Sequence, residues 1–149
     1  MSEWLFNSNP VLDEDVENYC GFVYLITNIL NGRKYIGKKI FKNKQRIKVK
    51  AKTRRKIKIK DSGWREYYGS SPTLQEDIKK FGESNFRRDI LFFCKNKSEM
   101  AYIEAREQFL RRCLETNEYY NEHIMVRVRK SNLKYDLSRE QEQIVHSPK

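Results

Sequence analysis

The chain has 149 residues, enough for one domain with a hydrophobic core and too few for two domains of ordinary size. Its hydrophobic content of 38%, with 13% aromatic residues, favours a folded globule over a disordered chain. No run of eighteen apolar residues occurs, and the N-terminus lacks the pattern of a signal peptide, so neither a membrane span nor secretion is expected. Three cysteines without CxxC spacing predict no disulfide framework and no zinc site, which favours a reducing cytoplasm.

The net charge of +11 is concentrated in one segment. Between Lys38 and Lys60, 13 of 23 residues are Lys or Arg and none is acidic, so the rest of the chain carries about −2. Such a segment is typical of a phosphate-backbone contact, although a solvated lysine-rich loop is the alternative. The predicted nucleic-acid contacts are the basic residues Lys38, Lys42, Lys44, Lys48, Lys50, Lys52, Arg54, Arg55, Lys56 and Arg65.

The first predicted elements are an extended or irregular lead-in over residues 1–20 and then a β-hairpin. GFVYLITN and KYIGKKIF are rich in β-branched and aromatic residues, and Asn31-Gly32 between them favours a tight reversal. In the basic segment, RIKVKAK and RKIKIK alternate apolar and basic residues. This alternation predicts a protruding second hairpin with one face toward the protein, while a basic arm that folds on DNA is the alternative.

Further elements follow in the order helix, strand, helix, strand. Ser71-Pro72 predicts a helix start and Gly82 its end. FRRDILFF predicts a strand, EMAYIEAREQFLRRCL a helix capped by Ser98, and HIMVRVR a further strand. We therefore expect an α+β domain over residues 21–128, with a central antiparallel sheet of about three strands flanked by helices. The basic insertion spans 38–62, and a polar tail spans 129–149.

Glu107 interrupts the apolar stripe of the long helix. The stripe comprises Met100, Ile103, Leu110 and Leu114, which recur at helical spacing. A carboxylate beside an apolar face loses hydration and normally requires an ion pair, protonation or a metal ion. Pairing with an arginine such as Arg106 or Arg111 is one prediction for Glu107. Ligation of Mg²⁺ is the other, because this cation binds one or two carboxylates and keeps several waters.

Two tyrosines, Tyr24 and Tyr35, lie eleven residues apart on the two strands of the first hairpin. Such a pair is usually a packing feature. The neighbouring Lys34, Lys38 and Lys39 favour a second interpretation, because basic groups beside a phenol hold phosphate and favour the phenolate.

Together, FVYLITN, the Asn-Gly turn and KYIGKK resemble the two halves of the GIY-YIG nuclease signature, and the resemblance extends to about residue 125. It implies that Tyr24 and Tyr35 are the signature tyrosines and that Gly37 is the glycine of YIG. It also implies that Glu107 binds the metal and that Asn121 supports the site. Members typically carry an arginine about ten residues after the second tyrosine.

This chain departs from the family pattern in two places, and a third position can be assigned to either of two residues. Its first signature half reads FVY rather than GIY, and the position of the family arginine is bracketed by Gln45 and Arg46. The candidates for that positive charge are Lys39, Arg46 and Arg65. The tyrosine or histidine that members place before the helix at Ser71 corresponds to Tyr67 or Tyr68.

The resemblance implies an endonuclease that hydrolyses DNA, with double-stranded DNA as the favoured substrate. It also implies that Glu107 holds Mg²⁺ or Mn²⁺. Tyr35, or else Tyr24, would be the general base, with Lys38, Lys39 and the metal lowering its pKa. Double-strand cutting by one active site would require a homodimer, a higher oligomer or successive nicks. Because about 25 residues follow the module, a standalone phage-type nuclease is expected rather than a long-site homing endonuclease. A non-catalytic basic nucleic-acid-binding module and an inactive GIY-YIG relative are the alternatives.

Overall fold

A computed structural model describes residues 2–48, 55–134 and 137 of the chain, with side chains described for 2–44, 57–134 and 137. The strands are β1 (Trp4–Phe6), β2 (Asn9–Pro10), β3 (Gly21–Asn28), β4 (Lys34–Ile40), β5 (Lys42–Lys48), β6 (Arg55–Asp61) and β7 (Phe86–Cys94). The α-helices are α1 (Asp13–Val16), α2 (Pro72–Phe81) and α3 (Lys97–Leu110). None of these described helices has the length and apolar character that a membrane span requires.

The main sheet has five strands in the order β2-β1-β7-β3-β4. Among the three strands expected for the core, β3 is antiparallel to both β7 and β4, and the helices beside this sheet confirm the predicted α+β class. β1 adds to this sheet in parallel with β7. The segment predicted as an extended or irregular lead-in therefore contributes two strands, β1 and β2, to the sheet.

Side chains of β3 alternate between the two faces of the sheet, and each face carries its own hydrophobic cluster. Phe22 and Tyr24 pack on one face with Trp4, Trp64 and Leu74, where Leu74 is a residue of α2. On the other face, Val23 packs in a second cluster with Phe92 from β7 and Ile103 from α3. The sheet is thus a layer between α2 on one side and α3 on the other.

The first hairpin is confirmed. β3 and β4 pair from Gly21↔Ile40 to Thr27↔Lys34, and residues 29–33 connect the two strands. Gly32 adopts a positive φ of 76°, a conformation that glycine reaches without strain.

The basic segment also forms an antiparallel pair, as predicted. β5 and β6 make a separate two-stranded sheet, here called the basic ribbon, with pairing from Lys42↔Asp61 to Lys48↔Arg55. The expectation that one face would pack on the protein is wrong, because Ile57 and Ile59 are 58% and 62% exposed. Residues 49–54, which include the predicted contacts Lys50, Lys52 and Arg54, lie outside the described residues.

Both main helices form, and one predicted cap is wrong. Ser71 caps α2 by accepting a hydrogen bond from the Leu74 amide, and Gly82 ends that helix. For α3 the cap is Asn96 rather than Ser98, because the Asn96 side chain accepts from the amide of Glu99 at 2.8 Å.

The C-terminal predictions differ more from the structure. The apolar stripe of α3 ends early, since Leu110 is 68% exposed and Leu114 is 49% exposed. HIMVRVR forms no strand and follows an irregular path over residues 123–129. Most of the predicted tail lies outside the described residues; within the described part, Lys130–Asn132 forms one 3-10 turn.

Candidate active site

The signature tyrosines meet across the β3–β4 pair. Tyr24 lies opposite Gly37 in the register and is 1% exposed. A Cβ atom at position 37 would overlap with the hydroxyl of Tyr24, so only glycine leaves room for this ring. The ring centroids of Tyr24 and Tyr35 are 6.2 Å apart.

Tyr67 joins this pair, and Tyr68 does not. The rings of Tyr67 and Tyr24 meet edge to face, with their centroids 6.0 Å apart. Tyr68 lies instead under the guanidinium of Arg88, and its hydroxyl is hydrogen-bonded to Ser2. Of the two tyrosines left open by the sequence, Tyr67 is the one brought to the tyrosine cluster.

Arg88 holds the loop that carries Tyr67, and sequence reasoning missed it. It is 1% exposed, and its Nη1 donates to the carbonyls of Arg65 at 2.8 Å and Tyr67 at 2.9 Å. Its guanidinium lies between the rings of Trp4 and Tyr68. An arginine on the alternating strand pattern FRRDILFF, at a position that faces the core, was the available signal.

A cleft opens beside Tyr35 at the free edge of β4. Its volume is about 280 Å³. It is lined by Tyr35, Lys38, Ser70, Ser71, Pro72, Glu104, Gln108, Tyr120, Asn121, Glu122, His123 and Met125. The hydroxyl of Tyr35 is 3.3 Å from the Ser70 hydroxyl, which fixes the direction of the phenol at the cleft wall.

Glu104 is the acidic residue of α3 that faces this tyrosine cleft. Its Oε1 is 3.9 Å from Nζ of Lys38, and its side chain is 15% exposed. Burial raises the pKa of Glu104, and the charges of Lys38 and His123 partly offset that effect. The negative charge of Glu104 contributes to the raised pKa of both Tyr35 and Tyr24, so the carboxylate interacts electrostatically with both phenols.

Glu107 has a different environment. It is 3% exposed, and its Oε1 accepts from Nε of Arg111 at 3.3 Å, one helical turn away. Its other oxygen, Oε2, is buried and accepts no hydrogen bond within the described part of the chain. Glu107 is absent from the lining of the tyrosine cleft. The structure thus gives Glu107 the arginine ion pair that was the alternative to metal binding.

Asn121 holds the backbone of the YIG strand in place. Its Oδ1 accepts from the amide of Ile36 at 3.0 Å, and its Nδ2 donates to the carbonyl of Ile36 at 2.8 Å. Both bonds are made at the free edge of β4, to the backbone of the residue that lies between Tyr35 and Gly37. Asn121 therefore positions both signature residues through the backbone.

The candidates for the missing arginine separate clearly. Nζ of Lys39 lies 4.3 Å from the ring centre of Tyr67, within the tyrosine cluster. Arg65 instead pairs with Asp13 and stacks on Trp64 at 4.3 Å. Arg46 lies on β5, and its side chain is outside the described residues. The described cations brought to the cluster and its cleft are Lys39 and Lys38.

The phenols are harder to ionise than the sequence suggested. Burial raises the pKa of Tyr35, although its hydrogen bond to Ser70 opposes the shift. Burial raises the pKa of Tyr24 well above the ordinary value, and the neighbouring phenols add to the effect. For the protein without metal, both shifts are thus opposite in direction to the lowering expected from Lys38, Lys39 and the metal together.

A hard divalent cation fits the tyrosine cleft at Glu104. No group of three or more His, Cys, Asp or Glu residues gathers in the described chain, so a closed protein cage is not built there. Mg²⁺ is commonly held by one or two carboxylates and several waters. A volume of about 280 Å³ beside Glu104 leaves room for such waters. Lys38 would then exchange its partner for a phosphate.

Comparison with known proteins identifies the family of the chain. A family model described as "Putative endonuclease segE, GIY-YIG domain" matches residues 4–124. The chain is 36% identical over 100 residues to "Putative endonuclease segE" of Enterobacteria phage T4, a match that covers 67% of this chain and 39% of that protein. It is 31% identical over 93 residues to "Putative endonuclease segD" of the same phage, covering 60% of this chain and 33% of that protein.

The chain thus spans less than half of the length of both curated relatives. No solved structure matches it. The family match begins at the first strand of the sheet and ends just after Asn121, so it covers every element that builds the tyrosine cleft. The chain belongs to the GIY-YIG endonuclease family, in the group described by the SegE domain.

Proposed function

We propose that this protein is a metal-dependent endonuclease that hydrolyses DNA phosphodiester bonds in the tyrosine cleft. One observation carries the proposal: a carboxylate (Glu104), an ammonium (Lys38) and a phenol (Tyr35) face the same opening at the edge of β4. Family membership supports the reaction class. The metal, the substrate and the role of each residue are the proposal's own content.

Glu104, rather than Glu107, is the proposed metal ligand. A ligand must present its carboxylate to a space that the cation, waters and substrate can enter, and Glu104 lines such a space. When bound, Mg²⁺ or Mn²⁺ would supply the positive charge that neutralises the scissile phosphate and the leaving oxygen. Glu107 pairs with Arg111 and is proposed to stabilise the end of α3.

Lys38 and Lys39 are proposed to receive the phosphate. The Nζ of Lys38 is 3.9 Å from Oε1 of Glu104, so this ammonium group lies beside the proposed metal ligand, where the scissile phosphate would bind. A phosphodiester gains negative charge on its equatorial oxygens during hydrolysis. Fixed ammonium groups therefore stabilise the transition state more than they stabilise the ground state, which is the requirement for catalysis.

Tyr35 is the proposed general base toward the attacking water. Its hydroxyl lies at the cleft wall, whereas the Tyr24 hydroxyl is buried over Gly37. Because burial raises the pKa of Tyr35, the phenol needs added positive charge in the loaded complex before it can accept a proton. Tyr24, Tyr67 and Asn121 are proposed as positioning residues.

The lysines near the start of the basic ribbon are proposed to extend the DNA contact beyond the cleft. Lys42 and Lys44 follow β4 directly and are exposed. They follow Lys38 by four and six residues in the chain. We therefore propose that the DNA strand bound in the cleft also contacts Lys42 and Lys44. Double-stranded DNA is the proposed substrate, and cutting of both strands would require two copies of the protein or two successive nicks.

The direct test is incubation of purified protein with supercoiled plasmid, with Mg²⁺ and, in parallel, with EDTA. Relaxed or linear plasmid with Mg²⁺ and unchanged plasmid with EDTA is the expected result. DNA binding without cleavage in Mg²⁺ and in Mn²⁺ would identify the protein as an inactive relative. Cleavage that persists in EDTA would contradict the metal requirement.

A further inference from the structure

The basic ribbon stands apart from the rest of the domain. Neither of its strands pairs with a strand of the main sheet, and residues 57–60 are all exposed. Its base is anchored, because Ser62 bonds to the backbone carbonyls of Ile40 and Phe41, and the Phe41 amide bonds to Cys20. A two-stranded sheet without a third strand or a covering helix has little stability by itself. The ribbon is therefore a candidate for a surface that a partner completes.

The two faces of the ribbon carry different chemistry beside their lysines. Residues that pair across an antiparallel ladder project to the same face, so the register assigns them. Lys44 pairs with Ile59, and Ile57 lies two residues from Ile59 on the same face. Asn43 pairs with Lys60, and Lys58 lies on that second face. Among the described side chains, the first face thus carries Ile57 and Ile59, and the second face carries the amide of Asn43.

These features fit double-stranded DNA in a specific way. The strands of the ribbon have seven residues each, which corresponds to roughly 23 Å of length. The major groove of B-DNA, about 12 Å wide, admits a two-stranded ribbon, whereas the minor groove is only about 6 Å wide. Lysines along both faces complement the phosphates at the groove edges. Apolar side chains in the major groove contact the thymine methyl group.

We propose that the basic ribbon enters the major groove of DNA and that the face carrying Ile57 and Ile59 contacts the base edges. This inference rests on the proposed function, because it takes the nuclease substrate to be duplex DNA. Non-specific attraction to phosphates requires only the lysines. The two isoleucines, more than half exposed between lysines, are the observation that points from the backbone to the bases.

The test measures DNA binding in EDTA, where the proposed metal-dependent cleavage does not take place. Dimethyl sulfate footprinting reports guanine N7 in the major groove and adenine N3 in the minor groove. The wild-type protein is expected to protect guanine N7, and I57S/I59S is expected to lose this protection. The I57S/I59S variant should keep the wild-type salt dependence of binding, because no charge changes.

Two charge variants complete the design. K58S/K60S should weaken binding to every duplex and lower the slope of log Kd against log salt by about 2. The matched control is K79S/K80S, the same change at two exposed lysines of α2, and it should leave the N7 footprint intact.

A further comparison uses two duplexes of the same sequence, one with thymine and one with deoxyuridine throughout, which differ only in major-groove methyl groups. The wild type should bind the thymine duplex several-fold more tightly, and I57S/I59S should not.

Three results would overturn the proposal: no N7 protection by the wild type, protection of adenine N3 alone, or equal affinity of the wild type for both duplexes. A change of oligomeric mass in I57S/I59S, without a change in footprint, would assign the isoleucines to self-association instead. The proposed nuclease function fails separately. Protein that protects N7 but never cuts refutes the nuclease, and protein that cuts without N7 protection refutes only the groove contact.

Discussion

Glu104 and Glu107 lie one turn apart on α3 and have opposite surroundings. Glu104 faces the tyrosine cleft with Lys38 at 3.9 Å, and Glu107 lies among buried side chains with Arg111 at 3.3 Å. Both carboxylates lose hydration, yet only one borders a space that a ligand can enter. The comparison teaches that a carboxylate at an apolar position of a helix indicates an ion pair as readily as a metal site.

The largest effect is expected from exchanging each carboxylate for its amide. Glu104→Gln should lower the rate of plasmid cleavage at least about 100-fold, because it removes a charged group from the reacting site. Glu107→Gln should leave cleavage within a few-fold of wild type and cost stability on the order of 1 kcal/mol through the lost bond to Arg111. Cleavage rates and thermal unfolding of both variants decide this. The reverse ranking of the two rates would return the metal-ligand role to Glu107.

Thermal unfolding also provides the control for Glu104→Gln. Burial raises the folded-state pKa of Glu104 above its unfolded value. The folded state therefore binds the proton more tightly, and the ionised carboxylate disfavours folding at neutral pH. Removing that charge should leave Tm equal to or above that of wild type. A lower Tm would mean that the loss of activity reflects misfolding.

The next effect concerns the phenol at the cleft wall. Tyr35→Phe should lower turnover roughly 100-fold to 10,000-fold with little change in DNA affinity, as expected for loss of a general base. Tyr24→Phe should lower turnover much less than Tyr35→Phe, because the Tyr24 hydroxyl is buried over Gly37 and does not line the cleft. Single-turnover rates and Kd in EDTA separate the two outcomes. Equal losses of rate and affinity for Tyr35→Phe would indicate a packing role.

The smallest effect is a pH dependence of metal affinity. Because the pKa of Glu104 is raised, its carboxylate takes up a proton at a higher pH than an exposed glutamate, whose pKa is about 4.3. The apparent affinity for Mg²⁺ should therefore fall on acidification while the protein is still folded. Titration of cleavage against Mg²⁺ at several pH values, with circular dichroism as the control for folding, measures this. An affinity that stays constant down to the pKa of an exposed glutamate would contradict the proposed ligand.

Local patterns determined much of this protein without any coordinates. Alternation and the Asn-Gly turn were sufficient for the β3–β4 hairpin and for the basic ribbon, because strand pairing between neighbours depends on adjacent residues. Ser71 and Gly82 similarly marked α2. The eleven-residue spacing of Tyr24 and Tyr35 was sufficient for the family resemblance, and the family match supports it.

Tertiary structure decided which side chains share the site. The position of Glu104 rather than Glu107 at the cleft depends on how α3 is rotated against β4, and helical periodicity carries no information on that rotation beyond the apolar stripe. Tyr67 was separated from Tyr68 by the buried Arg88, which holds their loop from another strand. β1 joined the sheet through pairing with β7, more than eighty residues away in the chain. Such contacts depend on the packing of distant segments, and no local pattern of residues specifies them.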